Sequence, residues 1–485
     1  MRRTRHRGAR SANRTLRVRL SLLIPIAFLA GSAAARLALL HHPSSIAPDL
    51  AQPLPVVTYW KTFGGTMAFT LFGALAIATI AYVAVLRRVD ATPRRGARAA
   101  MVYSALACAA ALTFPVVFSS DVYAYAGYGD LALHGTSPYA HVRVTASDPL
   151  LAAMIWQWGN PPPMCVYGPA FVWLAQLVVA TLLPLGAAAP LWALRVIACA
   201  SLVSCAPLAY AAFDRFGERT RAAAAAGIAL NPLAVWNAAA GHNDALALAA
   251  VLGGFVLASR VRIAAGAAAV ALSTLIKAPA LLACAGMLVA AWPDRARFNK
   301  TSTGAVCGIL IAVALCAPLT LGVHAHLAPE GKYAPQFSPQ YVLATVFPVW
   351  IAAAIVAIAA GVLIIAGVMR LAANQRSGAL CAALAIWIAI PNPYPWYALW
   401  LLPVAFLAWD SLPAWAIVAT SLTIALRFYP EATWANFPTV PAITLTLLMF
   451  AIPIAFLIAY TRDLARPDRR EIHTTAPDFA QLRSP

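Results

Sequence analysis

The chain has 485 residues, of which 62% are hydrophobic and 11% are charged, and its mean hydropathy is +0.75. Soluble globular domains carry about 25% charged residues, so this composition excludes a soluble globular protein. The formal net charge of +19 raises the question of nucleic-acid binding. The basic residues form short clusters beside long apolar runs, as the positive-inside rule requires, so we predict no nucleic-acid partner.

The apolar runs predict an all-α protein that crosses the membrane many times. A helix of about 20 residues spans the hydrocarbon core and satisfies its own backbone hydrogen bonds there. We expect the arginine-rich arm, residues 1–19, to lie in the cytoplasm and run 20–40 to be a retained signal anchor. In chain order the apolar runs are 20–40, 66–86, 99–118, 168–184, 190–213, 222–240, 245–258, 263–276, 278–292, 303–323, 342–369, 378–390, 397–409, 413–426 and 440–460.

Loop charge predicts about 14 crossings, with both termini in the cytoplasm. Loop 119–166 is then extracytoplasmic, and its residue pattern predicts a helix of its own. An odd number of crossings must separate this loop from the basic loop at Arg215, so either run 168–184 or run 190–213 is re-entrant or packed inside the bundle. We expect a multi-pass inner-membrane protein without a separate soluble domain: residues 1–19 form the arm, 20–461 the transmembrane bundle and 462–485 a cytoplasmic tail.

Polar motifs that hydropathy does not explain all fall at the outer face in this topology. Ionisable groups at membrane depth are costly, so they mark function or a partner, and their convergence on one face predicts a single site. The motifs are Ser119-Ser120-Asp121-Val122-Tyr123, Tyr167-Gly168-Pro169, His242-Asn243-Asp244, Lys277, Tyr394 to Tyr397, and Arg427.

Asp121 is the candidate catalytic group. A carboxylate close to low dielectric can have a raised pKa and accept a proton from an alcohol. In the structural alternative, Ser120 or Asp121 caps a helix over 122–134. Asp130 lies about two and a half turns further along, and we expect it either to share a face with Asp121 or to be structural.

Other residues of these motifs also have a structural and a functional interpretation. Tyr123 and Tyr125 suit an interfacial aromatic belt, and they could equally stack against a sugar ring. One residue of His242-Asn243-Asp244 can cap the following helix, but three consecutive polar side chains exceed what a cap needs, which favours a site. Lys277 can reach the interface by snorkelling, or it can form a cation cluster with Arg143 and Arg427 beside a lipid phosphate.

The order of these motifs resembles a known class of enzymes. SSDVYAYAGYGDLALHGTSPYAH, VYGPAFVWLA, NPLAVWNAAAGHNDALALA, LSTLIKAPALL and PNPYPWYALWLLP, in that order, are similar to the GT-C class of integral-membrane glycosyltransferases. The greatest likeness is to the actinobacterial polyprenyl-phosphate-mannose-dependent α-1,6-mannosyltransferases. The resemblance implies a GT-C-type bundle, an inverting reaction, a polyprenyl-phosphate sugar donor and a catalytic acid at Asp121. Many members carry a second nearby acid and use a divalent metal; here that position is Tyr123, so a metal is not favoured.

We therefore predict an inverting glycosyltransferase that moves a hexose, mannose by analogy, to a lipid or glycan hydroxyl. Asp121 takes the acceptor proton. The donor phosphate is expected to bind Lys277, Arg427, His242 and Arg143. The sugar or acceptor pocket is assigned to Tyr123, Tyr125, Asp130, Tyr167, Asn243, Asp244, Tyr394, Trp396 and Tyr397. The alternatives are a transporter or lipid-sugar flippase, and a glycan polymerase or ligase.

Overall fold

The described part of the protein is helical and contains no β-strand. The computed structural model describes residues 20–37, 60–89, 93–114, 116, 119, 121–141, 143–145, 149–259, 262–316, 335–409, 411–428 and 439–464. The N-terminal arm, Ser120 and nearly all of the predicted tail therefore lie outside the described residues. The helices are α1 Leu20–Leu37, α2 Trp60–Arg87, α3 Pro93–Leu112, α4 Asp121–Leu133, α5 Pro149–Trp158, α6 Pro169–Leu182, α7 Ala188–Ala212, α8 Glu218–Ala229, α9 Pro232–Ala239, α10 Asp244–Ser259, α11 Ile263–Leu272, α12 Ala280–Ala291, α13 Arg295–Cys316, α14 Pro339–Leu343, α15 Val349–Ala372, α16 Ser377–Ala389, α17 Leu402–Ala405, α18 Leu412–Thr423 and α19 Thr439–Leu464.

Six helices within the described ranges are long and apolar enough to cross a membrane, namely α1, α2, α7, α13, α15 and α19. Helices α8 and α9 pass the same test together but are bent by 42° at their junction, which gives up to seven spans. Most of the other predicted runs fold as apolar helices of 10–17 residues. The all-α prediction is confirmed, whereas the count of 14 crossings is not. For the pair of runs left open by the topology, length favours α7 over α6 as the crossing helix.

The junction between α8 and α9 has a local cause in the sequence. The side chain of Asn231 accepts hydrogen bonds from the backbone amides of Leu233 and Ala234, both at 3.1 Å, so it caps the new helix. Pro232 occupies the first position of α9, where its missing N–H costs nothing. The Asn231 amide also donates to Ser421 Oγ at 3.0 Å, which joins this junction to α18. Asn231 and Pro232 therefore determine where the short helix α9 begins, and so where its last residue, Ala239, lies.

Two main hydrophobic cores flank the polar residues. The larger core includes residues of α1, α2, α3, α7, α8, α9 and α10, together with the C-terminal helices α16 to α19. The second core packs α4, α5, α6 and the beginning of α7. Helices α4 and α5, which lie in the loop predicted at 119–166, therefore form a helical unit beside the bundle. The beginning of α4 and the turn between α9 and α10 meet where these cores adjoin.

Candidate active site

Asp121 is the first residue of α4, and its side chain is 13% exposed. Its Oδ2 atom accepts hydrogen bonds from the hydroxyl of Tyr167 at 3.3 Å and from that of Tyr125 at 3.4 Å. Within the described residues no hydrogen bond reaches the other carboxylate oxygen, Oδ1. The two oxygens therefore differ: Oδ2 is held by the protein, and Oδ1 is open to a reactant.

Tyr125 and Tyr167 form a rigid pair beside this carboxylate. Their hydroxyls are 3.2 Å apart and their ring centroids 4.9 Å apart in an edge-to-face contact, which Phe171 completes from Tyr125 at 4.8 Å. The hydroxyl of Tyr139 donates to the backbone carbonyl of Tyr167 at 2.9 Å and so fixes the loop before α6. Packing and hydrogen bonds thus orient both phenols toward Asp121.

His242 reaches the same carboxylate from the turn between α9 and α10. Gly241 precedes it with φ of +96°, a backbone conformation that favours glycine. His242 Nε2 lies 2.5 Å from Ser119 Oγ, and Nδ1 lies 3.6 Å from Asp121 Oδ2. A neutral imidazole carries one proton, so a Ser119 hydroxyl that donates to Nε2 leaves the proton on Nδ1, facing Asp121. The distance of 3.6 Å is longer than a hydrogen bond, so His242 is bonded to Ser119 and its Nδ1 lies beside Asp121 without bonding to it.

Burial shifts the pKa values of Asp121 and His242 in opposite directions. Burial raises the pKa of Asp121 to about 6; Lys277 and the Tyr167 hydroxyl act in the opposite direction, and Asp244 adds to the rise. Burial, assisted by the charge of Lys277, holds the pKa of His242 well below 6.5. His242 is therefore neutral near pH 7, and it can offer a donor phosphate a hydrogen bond but no positive charge. Asp121 is ionised at pH 7 and basic enough to take a proton.

Lys277 is already ion-paired in this structure. Its ammonium lies 2.6 Å from Asp244 Oδ2, and the two side chains are 8% and 2% exposed. The other oxygen of Asp244 accepts the indole N–H of Trp400 at 2.7 Å. The ammonium also faces the rings of Tyr167 and Tyr397, at 5.4 and 5.7 Å from their centroids. Both oxygens of Asp244 are thus occupied, in contrast to Asp121.

A column of stacked rings extends from His242 along one side of the site. The imidazole stacks on Trp396 with centroids 4.1 Å apart, and Trp396 stacks on Tyr394 at 4.5 Å. The guanidinium of Arg427 lies 5.4 Å from the Tyr394 centroid and 4.4 Å from that of Phe337. Arg427 is thereby connected to the Asp121 carboxylate through two aromatic rings and the imidazole. Both faces of the Trp396 ring are covered by its neighbours in the column, so a ligand can meet only the ring edge there.

Several residues assigned to the site by sequence are not joined to it. The carboxylate of Asp130 lies 3.4 Å from His134 Nδ1. Nine residues are about two and a half turns, which place Asp130 on the opposite side of α4 from Asp121, so of the two alternatives the structural one is favoured. Arg143 is exposed, and no described contact connects it with the cluster. Tyr123 and Asn243 are buried, with side-chain polar atoms that lack partners among the described residues.

Two members of the cluster were not singled out from the sequence. Ser119 contacts His242, and Trp400 contacts Asp244, across 123 and 156 residues of chain respectively. Ser119 did lie in a polar motif beside Asp121, which was the available signal. Trp400 lies in the quoted PNPYPWYALWLLP motif, but a tryptophan within an apolar run is ordinary, so nothing pointed to its contact with Asp244. Among the described residues no group of three His, Cys, Asp or Glu side chains is placed to hold a metal ion.

Comparison with known proteins bears on the identity of this site. The family described as alpha-(1->6)-mannopyranosyltransferase, N-terminal domain, matches residues 26–293, which is more than half of the chain and includes Asp121, Tyr167, His242 and Lys277. Alpha-(1->6)-mannopyranosyltransferase A of Corynebacterium glutamicum is 26% identical over 179 residues, and the alignment spans 36% of this chain and 36% of that protein. No solved structure matches the chain. The chain belongs to the alpha-(1->6)-mannopyranosyltransferase family.

Proposed function

We propose that this protein transfers a mannosyl residue from a polyprenyl-phosphate donor to a hydroxyl of a lipid or glycan acceptor, with inversion at the anomeric carbon. The reaction takes place at the extracytoplasmic face of the inner membrane, with the unit formed by α4 and α5 on the acceptor side. The observation that carries the proposal is the carboxylate of Asp121, which has one oxygen anchored by tyrosines and the other open. Family membership supports mannose as the sugar.

Asp121 Oδ1 acts as the general base. The acceptor oxygen attacks the anomeric carbon while its proton passes to Oδ1, and the bond between that carbon and the phosphate oxygen breaks. The electron pair of this bond leaves with the polyprenyl phosphate. The two tyrosine hydroxyls hold Oδ2, with the His242 imidazole beside it, and so aim Oδ1 at the acceptor. A pKa near 6 keeps the base ionised at neutral pH.

The leaving phosphate requires positive charge and hydrogen-bond donors. Arg427, held between Phe337 and Tyr394, and the N–H groups of Lys277 that Asp244 does not use are suited to this role. His242 contributes a hydrogen bond at most, because its imidazole is neutral. The ring edge of Trp396, together with the Tyr394 ring, forms the wall against which the sugar packs. Of the two cations, Arg427 lies at the end of the aromatic column distant from Asp121, whereas Lys277 lies beside Tyr167, close to Asp121.

The test is sugar transfer by membranes that contain either wild-type protein or Asp121→Asn. With radiolabelled polyprenyl-phosphate mannose as donor, Asp121→Asn should lower transfer by about 100-fold or more, since a positioned general base contributes 10²–10⁴-fold. Asp214→Asn, the same chemical change at an exposed loop residue, is the matched control and should retain activity. Full activity of Asp121→Asn at wild-type expression would remove the assignment, and lipid-sugar translocation without formation of a glycosidic bond would identify a flippase instead.

A further inference from the structure

Arg195 is a fully buried cation that the mechanism above does not use. It lies in α7 and is 1% exposed, in a helix that is otherwise apolar over its first turns. All hydrogen bonds of its guanidinium go to backbone carbonyls, and its plane lies over the ring of Trp192 at 4.8 Å. A buried charge is costly, so its retention requires a compensating role.

The carbonyls that Arg195 binds belong to the ends of two different helices. Nη2 donates to the carbonyl oxygens of Leu112 at 3.0 Å and Phe114 at 3.2 Å, at the end of α3, and Nε donates to that of Ala239 at 2.5 Å, at the end of α9. Carbonyls in the last turn of a helix lack partners within the helix and carry partial negative charge. The planar fork of arginine can serve several such acceptors at once, which a single ammonium serves less well.

These two helix ends lead directly to the catalytic groups. The segment after Phe114 continues to Ser119 and Asp121, and the segment after Ala239 continues through the turn to His242. The backbone of Gly241 in that turn is so close that a Cβ there would lie 3.0 Å from a methyl carbon of Val122 and 3.3 Å from Arg195 Cγ. Arg195 thus lies behind the contact between Asp121 and His242, at the point where both segments depart from the bundle.

We propose that Arg195 is a positioning residue that sets the separation of Asp121 and His242 by clamping the ends of α3 and α9. This inference rests on the proposed function, because it assigns Arg195 a role through the Asp121 base. Loosening the clamp withdraws the imidazole from Oδ2 and misaims Oδ1. Turnover is then impaired, while Arg427 at the far end of the aromatic column still binds the donor.

The test compares Arg195→Lys with wild type in purified, detergent-solubilised enzyme shown to be folded by size-exclusion chromatography. We expect kcat to fall about 10- to 100-fold with the donor KM unchanged, since misplacement by about 1 Å costs that much. The acidic limb of the pH–rate profile should also move to higher pH, because the N–H dipole of His242 that faces the carboxylate moves away from it. Arg221→Lys is the matched control: Arg221 likewise donates to a carbonyl, that of Tyr210, and lies 4.0 Å from its ring centroid, away from the site.

Wild-type kcat and an unmoved acidic limb in Arg195→Lys would overturn the inference, as would an equal loss in the Arg221→Lys control. If Arg195→Lys is not recovered folded, Trp192→Leu carries the same test, since it removes the ring beneath the guanidinium and should shift the limb in the same direction. Asp121→Asn is assayed in parallel. If that variant is inactive while the Arg195 and Trp192 variants behave as wild type, the positioning role fails and the proposed function stands; if it is active, the proposed function itself fails.

Discussion

Transfer activity should fall about tenfold between pH 7 and pH 5, because the base must be ionised to accept the acceptor proton. The pKa of Asp121 is raised to about 6 by burial, so activity is present above that value and is lost as the pH falls through it. At pH 5 about one tenth of the carboxylate is ionised, against about nine tenths at pH 7. The acidic limb of kcat/KM should therefore have its midpoint near 6 in the free enzyme.

Tyr167→Phe should move this limb to higher pH. The Tyr167 hydroxyl donates to Asp121 Oδ2 at 3.3 Å and stabilises the ionised form. A hydrogen bond to a charged group contributes about 1.5–3 kcal/mol, and its length here favours the lower figure, which corresponds to a shift of about one pH unit. Tyr128→Phe is the control. Tyr128 lies on α4, as Asp121 does, but its hydroxyl donates to the carbonyl of Pro163 at 2.9 Å and not to Asp121.

The assay is kcat/KM for radiolabelled polyprenyl-phosphate mannose, measured with purified enzyme between pH 5 and pH 8 and with unfolding monitored at each pH. Two results would refute the reasoning. A wild-type kcat/KM that stays constant down to pH 5 would show that no group with a pKa near 6 is required. A limb that is identical in Tyr167→Phe and wild type would show that this tyrosine does not stabilise the base.

Three further predictions concern the surroundings of the base. Lys277→Met and Asp244→Asn should each lower the free energy of unfolding by about 3–5 kcal/mol, because each leaves a buried charge without its partner. The double variant should recover most of this loss, and additive losses in an SDS titration would contradict the prediction. Trp396→Leu should lower kcat by up to about tenfold, since stacking of this kind contributes about 0.5–1.5 kcal/mol, and Trp396→Phe should restore it in the transfer assay. Gly168→Ala should lower thermal stability and activity together, because the new Cβ would lie 2.3 Å from the Leu275 carbonyl and push Tyr167 away; Gly217→Ala, which meets open space, should do neither.

The composition of the site was predictable because polar residues stand out in an apolar chain. Asp121, Tyr167, His242 and Lys277 are separated by up to 156 residues in sequence, yet each interrupts an apolar stretch at a cost that only a partner or a function offsets. The structure brings these four together. Selection against unpaired polar groups in a membrane protein thus makes a dispersed site visible without any knowledge of the fold.

Two aspects of the site depended on geometry that the sequence does not contain. The loop-charge topology counts all but one of the apolar runs as full crossings, whereas α6 and α10 to α12 are too short to be counted so and pack against other helices. Electrostatic pairing was also hidden, since nothing in the sequence indicates that Lys277 is neutralised by Asp244 or that burial keeps His242 uncharged. Lys277 was predicted only as a phosphate ligand; the structure adds its ion pair with Asp244, and the phosphate role stays a prediction.

The ion pair between Lys277 and Asp244 also affects the neighbouring carboxylate of Asp121. Asp244 lies near Asp121, and an unpaired carboxylate there would compete for the same proton. Lys277 and Trp400 occupy both oxygens of Asp244, so Asp121 Oδ1 is left as the carboxylate oxygen without a hydrogen bond from the described residues. Removal of Lys277 should then raise the pKa of Asp121, because the positive charge that stabilises the Asp121 carboxylate is lost. It should also weaken the fold, because the buried carboxylate of Asp244 is left without its partner. In Lys277→Met the acidic limb should move to higher pH in the molecules that remain folded, and a limb that stays in place would mean that Lys277 acts on Asp244 alone.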